Sequence, residues 1–338
     1  SAAATGTAAD VQPEVPPPPS AAPPPPARDA PGWDGSTGGR EGTAGSSLGV
    51  APRPTPRPAA AESPASAGPR VAGDSCIAEE TTLSLEDGRE VRLFASEDSL
   101  AAAVPRVVAN AARVAIADKG AFSLAVCGGE VSTALAGLAA LPDLDFGRFH
   151  VFFCYDALEP GAPSCHAEAC GTWLDACRVP AHQVHPLPAG LPPEAAAAQY
   201  TATICMQPEE VVGDSEGGLP SVDLAVLSTG DDGRCGGVRP GSPGAAAAGS
   251  GQVVLFDGAD GAAPALALSL DFLSAARRAV LLAGAAGRAG MLRAALLGGD
   301  TAATEEGPAR PAGLVRSPKT TWLATRASAA ELRAALAA

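Results

Sequence analysis

From Arg89 to the C-terminus, apolar residues fall into short runs separated by longer amphipathic stretches. Val91–Ala95, Phe122–Cys127, Phe149–Tyr155 and Val222–Leu227 are dense enough to predict strands buried on both faces. Val253–Phe256, Leu266–Leu270, Ala279–Ala283 and Thr321–Ala324 repeat that signature, and Val184–Leu187 reads as a short extended piece. Between them the period changes. Ser96–Lys119 places Leu100, Val104, Val107, Val108, Ala111 and Val114 at helical spacing. Its first turn holds Glu97 and Asp98, where carboxylates suit the positive end of the helix dipole. Val131–Leu141, Ser164–Cys177, Pro192–Cys205, Ala285–Leu297 and Ala327–Ala337 are the other predicted helices. Helices between strands supply the long crossovers that parallel pairing requires. The pattern therefore predicts an α/β fold: a doubly wound, mostly parallel, Rossmann-like sheet with helices on both faces.

Composition changes the picture upstream. Residues 1–72 are built of Pro, Ala, Gly and Ser, include the run Pro16–Pro26, and hold almost no large apolar side chains. Such a segment cannot offset its ordering entropy, so it is expected to be disordered and locally polyproline II. Its prolines would suit tethering to a protein partner. The folded domain is expected over residues 73–338, with 244–251 as a flexible low-complexity loop. The chain opens at Ser1 without methionine, as a fragment or processed form would. Its Ala/Pro/Arg-rich start suits an organelle transit remnant, although Asp10, Glu14, Asp29 and Asp34 do not. Plastid and cytoplasm are both left open.

A net charge of −14 without a lysine or arginine cluster argues against non-specific nucleic-acid binding. The longest apolar stretch, Ala279–Gly299, is interrupted by Arg288 and Arg293, which would be costly inside a bilayer. It reads as a strand and a helix, with no membrane partner. Eight cysteines form no Cys-x-x-Cys pair, and several sit in apolar contexts, as free thiols in a reducing compartment do. Cys165, His166, Cys170, Cys177, His182 and His185 match no common zinc spacing, so no metal site is expected.

Two glycine turns follow predicted strands: Cys127-Gly128-Gly129-Glu130 and Gly230-Asp231-Asp232-Gly233. Turns of this kind can aim backbone N–H groups at an anion, or can serve as tight connections and nothing more. The stretch from about Val91 to the C-terminus resembles the 6-phosphogluconolactonase family, within the group that includes glucosamine-6-phosphate deaminases. The family's S-G-G-S-T-P loop corresponds to Cys127–Ser132, its D-E-R strand end to Asp156-Ala157-Leu158, and its S-N-Y element to Ser164-Cys165-His166. N-V-H-x-I-P corresponds to Gln183–Pro188, followed by the acidic, alanine-rich helix start Leu191–Ala195. The main loop, G-x-D-G-H-T-A-S-x-F-P-G-S-P, corresponds to Gly230–Pro243, and R-x-T-L-T-L to Ala265–Leu270.

The resemblance implies hydrolysis of 6-phospho-D-glucono-1,5-lactone, a phosphorylated sugar lactone, in the oxidative pentose phosphate pathway without a metal or organic cofactor. It places Gly128, Gly129, Glu130, Ser164, Gly233, Arg239 and Arg288 around the substrate, and Asp156, His166, Asp232 and Arg234 at the chemistry. Several positions depart from the family. The general-base histidine is Arg234, which has no lone pair to accept a proton. Two expected arginines are Leu158 and Ala265, and Glu130 puts a carboxylate where a serine would meet phosphate. His166, Asp231 and Asp156 remain as replacement bases. Asp232 could equally cap the following turn, and Asp156 could hold its loop by an Asx hydrogen bond. Two further readings stay open: a non-catalytic relative serving as a sugar-phosphate-binding or protein-interaction module, and an aminosugar-phosphate deaminase, which Ala157 disfavours by breaking the carboxylate pair that chemistry needs.

Overall fold

The computed structural model describes residues 81–159, 161, 162, 164–257, 264–298 and 310–338. The expected disorder of residues 1–72 and the reading of Cys76 lie outside them. Thirteen strands are present among the described residues: β1 (Thr81–Ser84), β2 (Glu90–Phe94), β3 (Phe122–Val126), β4 (Phe149–Phe153), β5 (Tyr155–Ala157), β6 (Val184–His185), β7 (Gly213–Asp214), β8 (Pro220–Ser221), β9 (Leu224–Ser228), β10 (Val254–Phe256), β11 (Ala265–Leu268), β12 (Ala279–Ala283) and β13 (Thr320–Thr325). The main sheet has eight strands in the order β1-β2-β13-β12-β9-β3-β4-β6. Every pairing in it is parallel except β1 with β2. Its middle strands β3, β9 and β12 are buried almost throughout, as strands covered on both faces must be.

Helices cover this sheet. Glu97–Lys119 starts at a capping box in which Ser96 Oγ accepts from Ser99 N (3.2 Å) and Ser99 Oγ from Ser96 N (3.0 Å). It ends at Gly120, whose φ of 81° only glycine adopts cheaply. By length and composition this helix would suffice to cross a membrane. Here Leu100, Val104, Val108 and Ala112 bury its apolar stripe within the core. A second network fixes the opposite end of the sheet from its loops. Asp223, just before β9, accepts from Ser123 N (2.8 Å) and Ser123 Oγ (3.0 Å), and Lys119 Nζ lies 3.0 Å away. It ties β3 to β9 at a buried carboxylate.

Several elements differ from the pattern-based expectation. Phe149–Tyr155 does not run on as one strand. Cys154 breaks it, and β5 pairs antiparallel with β11 in a separate three-stranded sheet, β10-β11-β5. The reason is that apolar runs signal burial but not partner. The expected loop at 244–251 begins with a helical turn, Pro243–Ala246, because Ser242 Oγ caps Ala245 N (3.3 Å) and Asp257 Oδ1 accepts from Gly244 N (3.0 Å). Ser164–Cys177 is helical but passes through a π segment, Cys170–Leu174. The edge hairpin β1–β2 lies partly ahead of the first expected strand, where Thr and Ser alternate too weakly with Leu to announce it.

Candidate active site

Strand order decides where the crevice lies. From β3 the chain goes on to β4 on one side, and from β9 it goes on to β12 on the other. Such a switch point opens a crevice beyond the carboxyl ends of the two strands. Gly128–Gly129 follow β3, Gly230–Gly233 follow β9, Asp156 lies beyond β4 and Arg288 beyond β12. The sequence-predicted residues therefore meet at one rim.

On the β3 side, Gly129 has a φ of 64° and its N–H donates to both oxygens of Glu168, at 2.9 and 3.0 Å. A Cβ on Gly128 would lie 2.5 Å from Glu168 Oε2, so only glycine lets that carboxylate approach. Ser164 caps the helix carrying Glu168 by accepting from Ala167 N (3.0 Å). Asp156 holds the start of that helix, accepting from Cys165 N at 2.6 Å. It is 8% exposed, and burial pushes its carboxyl above the ordinary value despite that hydrogen bond. His166 packs edge-on against Phe153 (5.6 Å between centroids), with Nε2 3.4 Å from Cys170 Sγ.

On the β9 side, Arg234 turns back on its own loop. Its N and Nε both lie 3.1 Å from Asp232 Oδ1. Gly233, with a φ of 91°, supports Arg310, whose Cβ would be 3.2 Å from a side chain added there. Arg239 lies beside Tyr155, where its charge opposes the upward shift that burial gives the phenol. Its Nη2 is buried with no hydrogen-bond partner among the described residues.

Arg288 bridges the two sides. Nη1 donates to Glu130 Oε1 at 2.7 Å and to Leu282 O at 3.2 Å, and Nε lies 3.6 Å from Asp231 Oδ1. Arg234 and Arg288 thus each have an internal carboxylate, and Arg239 has none among the described residues. Leu158 and Ala265, where the resemblance implies arginines, are also neighbours. Leu158 N donates to Pro264 O (2.8 Å), and Ala265, in register with Ala157, is fully buried.

The model of the glucosamine-6-phosphate isomerase/6-phosphogluconolactonase family matches residues 95–322. The chain belongs to this family. A probable chloroplastic 6-phosphogluconolactonase 3 of Oryza sativa subsp. indica is 32% identical over 158 residues, covering 45% of this chain and 48% of the relative. The chloroplastic 6-phosphogluconolactonase 3 of Arabidopsis thaliana is 26% identical over 168 residues. The chain spans about half the length of the curated relatives it matches. Among solved structures, the 6-phosphogluconolactonase of Trypanosoma brucei superposes with a TM-score of 0.59 at 19% identity, over 72% of this chain and 98% of that one. The Thermotoga maritima enzyme gives 0.56 at 19% identity, over 70% and 98%. These structures show the fold alone.

Within this family fold, sequence reading had missed Glu168 and Arg310. Glu168 stands in the first turn of its helix, and only the packing of that helix on Gly128 shows what it touches. The thiols, expected to be free and in apolar contexts, are found clustered. Cys127, Cys154, Cys165 and Cys235 gather beneath the loops, all free. Hydrogen bonding with Cys154 pulls the Cys127 thiol down, whereas burial pushes Cys154, Cys165 and Cys235 up. Three of these thiols are therefore held protonated and behave as packing groups.

Proposed function

We propose that this chain is a 6-phosphogluconolactonase relative with impaired catalysis, whose crevice binds a sugar lactone or sugar acid but hydrolyses 6-phospho-D-glucono-1,5-lactone slowly. One observation carries this: Arg234 stands at the general-base position, its Nε held 3.1 Å from Asp232 Oδ1. A guanidinium cannot take a proton from water, and losing a general base costs about 10²–10⁴ in rate. Lactone hydrolysis above the spontaneous rate should be measured for the chain and for Arg234→His. The parent is expected near background, with the variant gaining at least about 10² in kcat. A parent at least as fast as the variant would sink the reading.

A second reading has its own support. Asp156 is a buried carboxylate with a raised pKa at the same rim, suited to accept a proton from water in place of the histidine. Residual turnover in the parent chain would then depend on it. Chloroplast residence is extended to this chain from its relatives' names and fits the free thiols. Finding the full chain outside isolated plastids would refute that placement.

A further inference from the structure

We infer that Glu130 is a specificity determinant: its carboxylate occupies the place on Arg288 that a ligand phosphate would take, and so selects against phosphate monoesters. The inference rests on the reading of this crevice as the ligand site. Arg288 is a shielded cation, its side chain 14% exposed. Its 2.7 Å contact with Glu130 is in the range of charge-assisted hydrogen bonds. Its Nε is buried, with Asp231 Oδ1 at 3.6 Å and no hydrogen-bond partner among the described residues. One guanidinium therefore faces two carboxylates. A third, Glu168, covers the neighbouring Gly129 N–H. A phosphate dianion entering here meets a surplus of negative charge before it meets a free donor, and like charges at this range oppose it.

Glu130 is the group that decides, for geometric reasons. It is the only one of the three that hydrogen-bonds Arg288, and its side chain is 35% exposed at the C-terminal end of β3. Asp231 is 69% exposed and makes the longer contact. Replacing Glu130 by serine releases one of the two Nη1 hydrogens, the other remaining on Leu282 O, and offers a hydroxyl donor beside it. The fold does not depend on the change, since the residue opens a helix at the surface.

The test is calorimetric titration with inorganic phosphate at fixed ionic strength. It compares the parent chain, Glu130→Ser, the double variant Glu130→Ser with Arg288→Met, and Glu194→Ser as an exposed charge-matched control. Glu130→Ser is expected to bind at least about tenfold tighter than the parent, with the double variant returning to the parent value and the control unchanged. A parent that binds as tightly as Glu130→Ser overturns the inference. So does a gain that survives loss of Arg288, or one that Glu194→Ser reproduces. Melting curves confirm that each variant is folded. Because Arg234→His is read in kcat and Glu130→Ser in phosphate affinity, either proposal can fail while the other stands.

Discussion

At Asp156 two effects compete, and burial wins. The Cys165 N–H favours the carboxylate, but removal from water disfavours it more, so the carboxyl titrates above its ordinary value. A raised carboxyl pKa means that the folded state binds the proton more tightly than the unfolded chain. The contribution of this one group to stability is thus fully present below 3.8 and is lost as pH rises through the raised value. Asp156→Asn keeps the acceptor for Cys165 N and removes the buried charge. It is expected to melt no lower than the parent at pH 7 and to abolish any residual lactone hydrolysis. A variant with full residual activity would show that the base is elsewhere. Arg234 was readable directly from the sequence, because the order of Gly230, Gly233, Pro240 and Gly241 fixes its place in the loop. Its self-pairing with Asp232, and the carboxylate of Glu168 on Gly129, depend on side-chain direction, which spacing does not reveal.

Among the elements, the main-sheet strands were legible because β3, β9 and β12 consist of Val, Leu, Ala and Phe with few interruptions. The second sheet was not. β10 and β11 are equally apolar, and only their antiparallel register separates them from the parallel set, while β5 carries Asp156 at its centre and continues the apolar run of β4. The tie between β3 and β9 belongs to the same scale. Asp223 is 5% exposed and serves Ser123, Lys119 and, at 3.8 Å, Arg277. Removing one partner from a buried charged network strands the others, at a cost of about 3–5 kcal/mol. Asp223→Ala is expected to lose about that much in urea unfolding at unchanged m-value. A loss under about 1 kcal/mol would mean that Lys119 reaches solvent and the network is dispensable.

At the scale of the whole molecule, acid acts at the edge of the sheet through a buried histidine. His185 on β6 stacks on Phe152 (4.6 Å) and His150 (5.8 Å), and burial, with the nearby His150 and His182, pushes it down to about 4. The unfolded chain takes up a proton as pH falls through 6.5, whereas the folded one resists until about 4. Stability present above pH 6.5 is therefore lost between 6.5 and 4, with no further loss from this group below. Melting temperature should fall more steeply from pH 7 to 4.5 in the parent than in His185→Gln. Parallel curves would assign the acid sensitivity to other groups.

The sheet order carries one more consequence, for synthesis. β2 is made early and β13 last, yet they are neighbours, with Val91 opposite Trp322 and Leu93 opposite Ala324. On the ribosome, β2 and β12 each wait with an unpaired edge until the final strand emerges to fit between them. No segment that stops short of β13 can close this sheet, so commitment to the fold waits for that strand. Until then those two edges are open to pairing with another chain, the condition that favours aggregation.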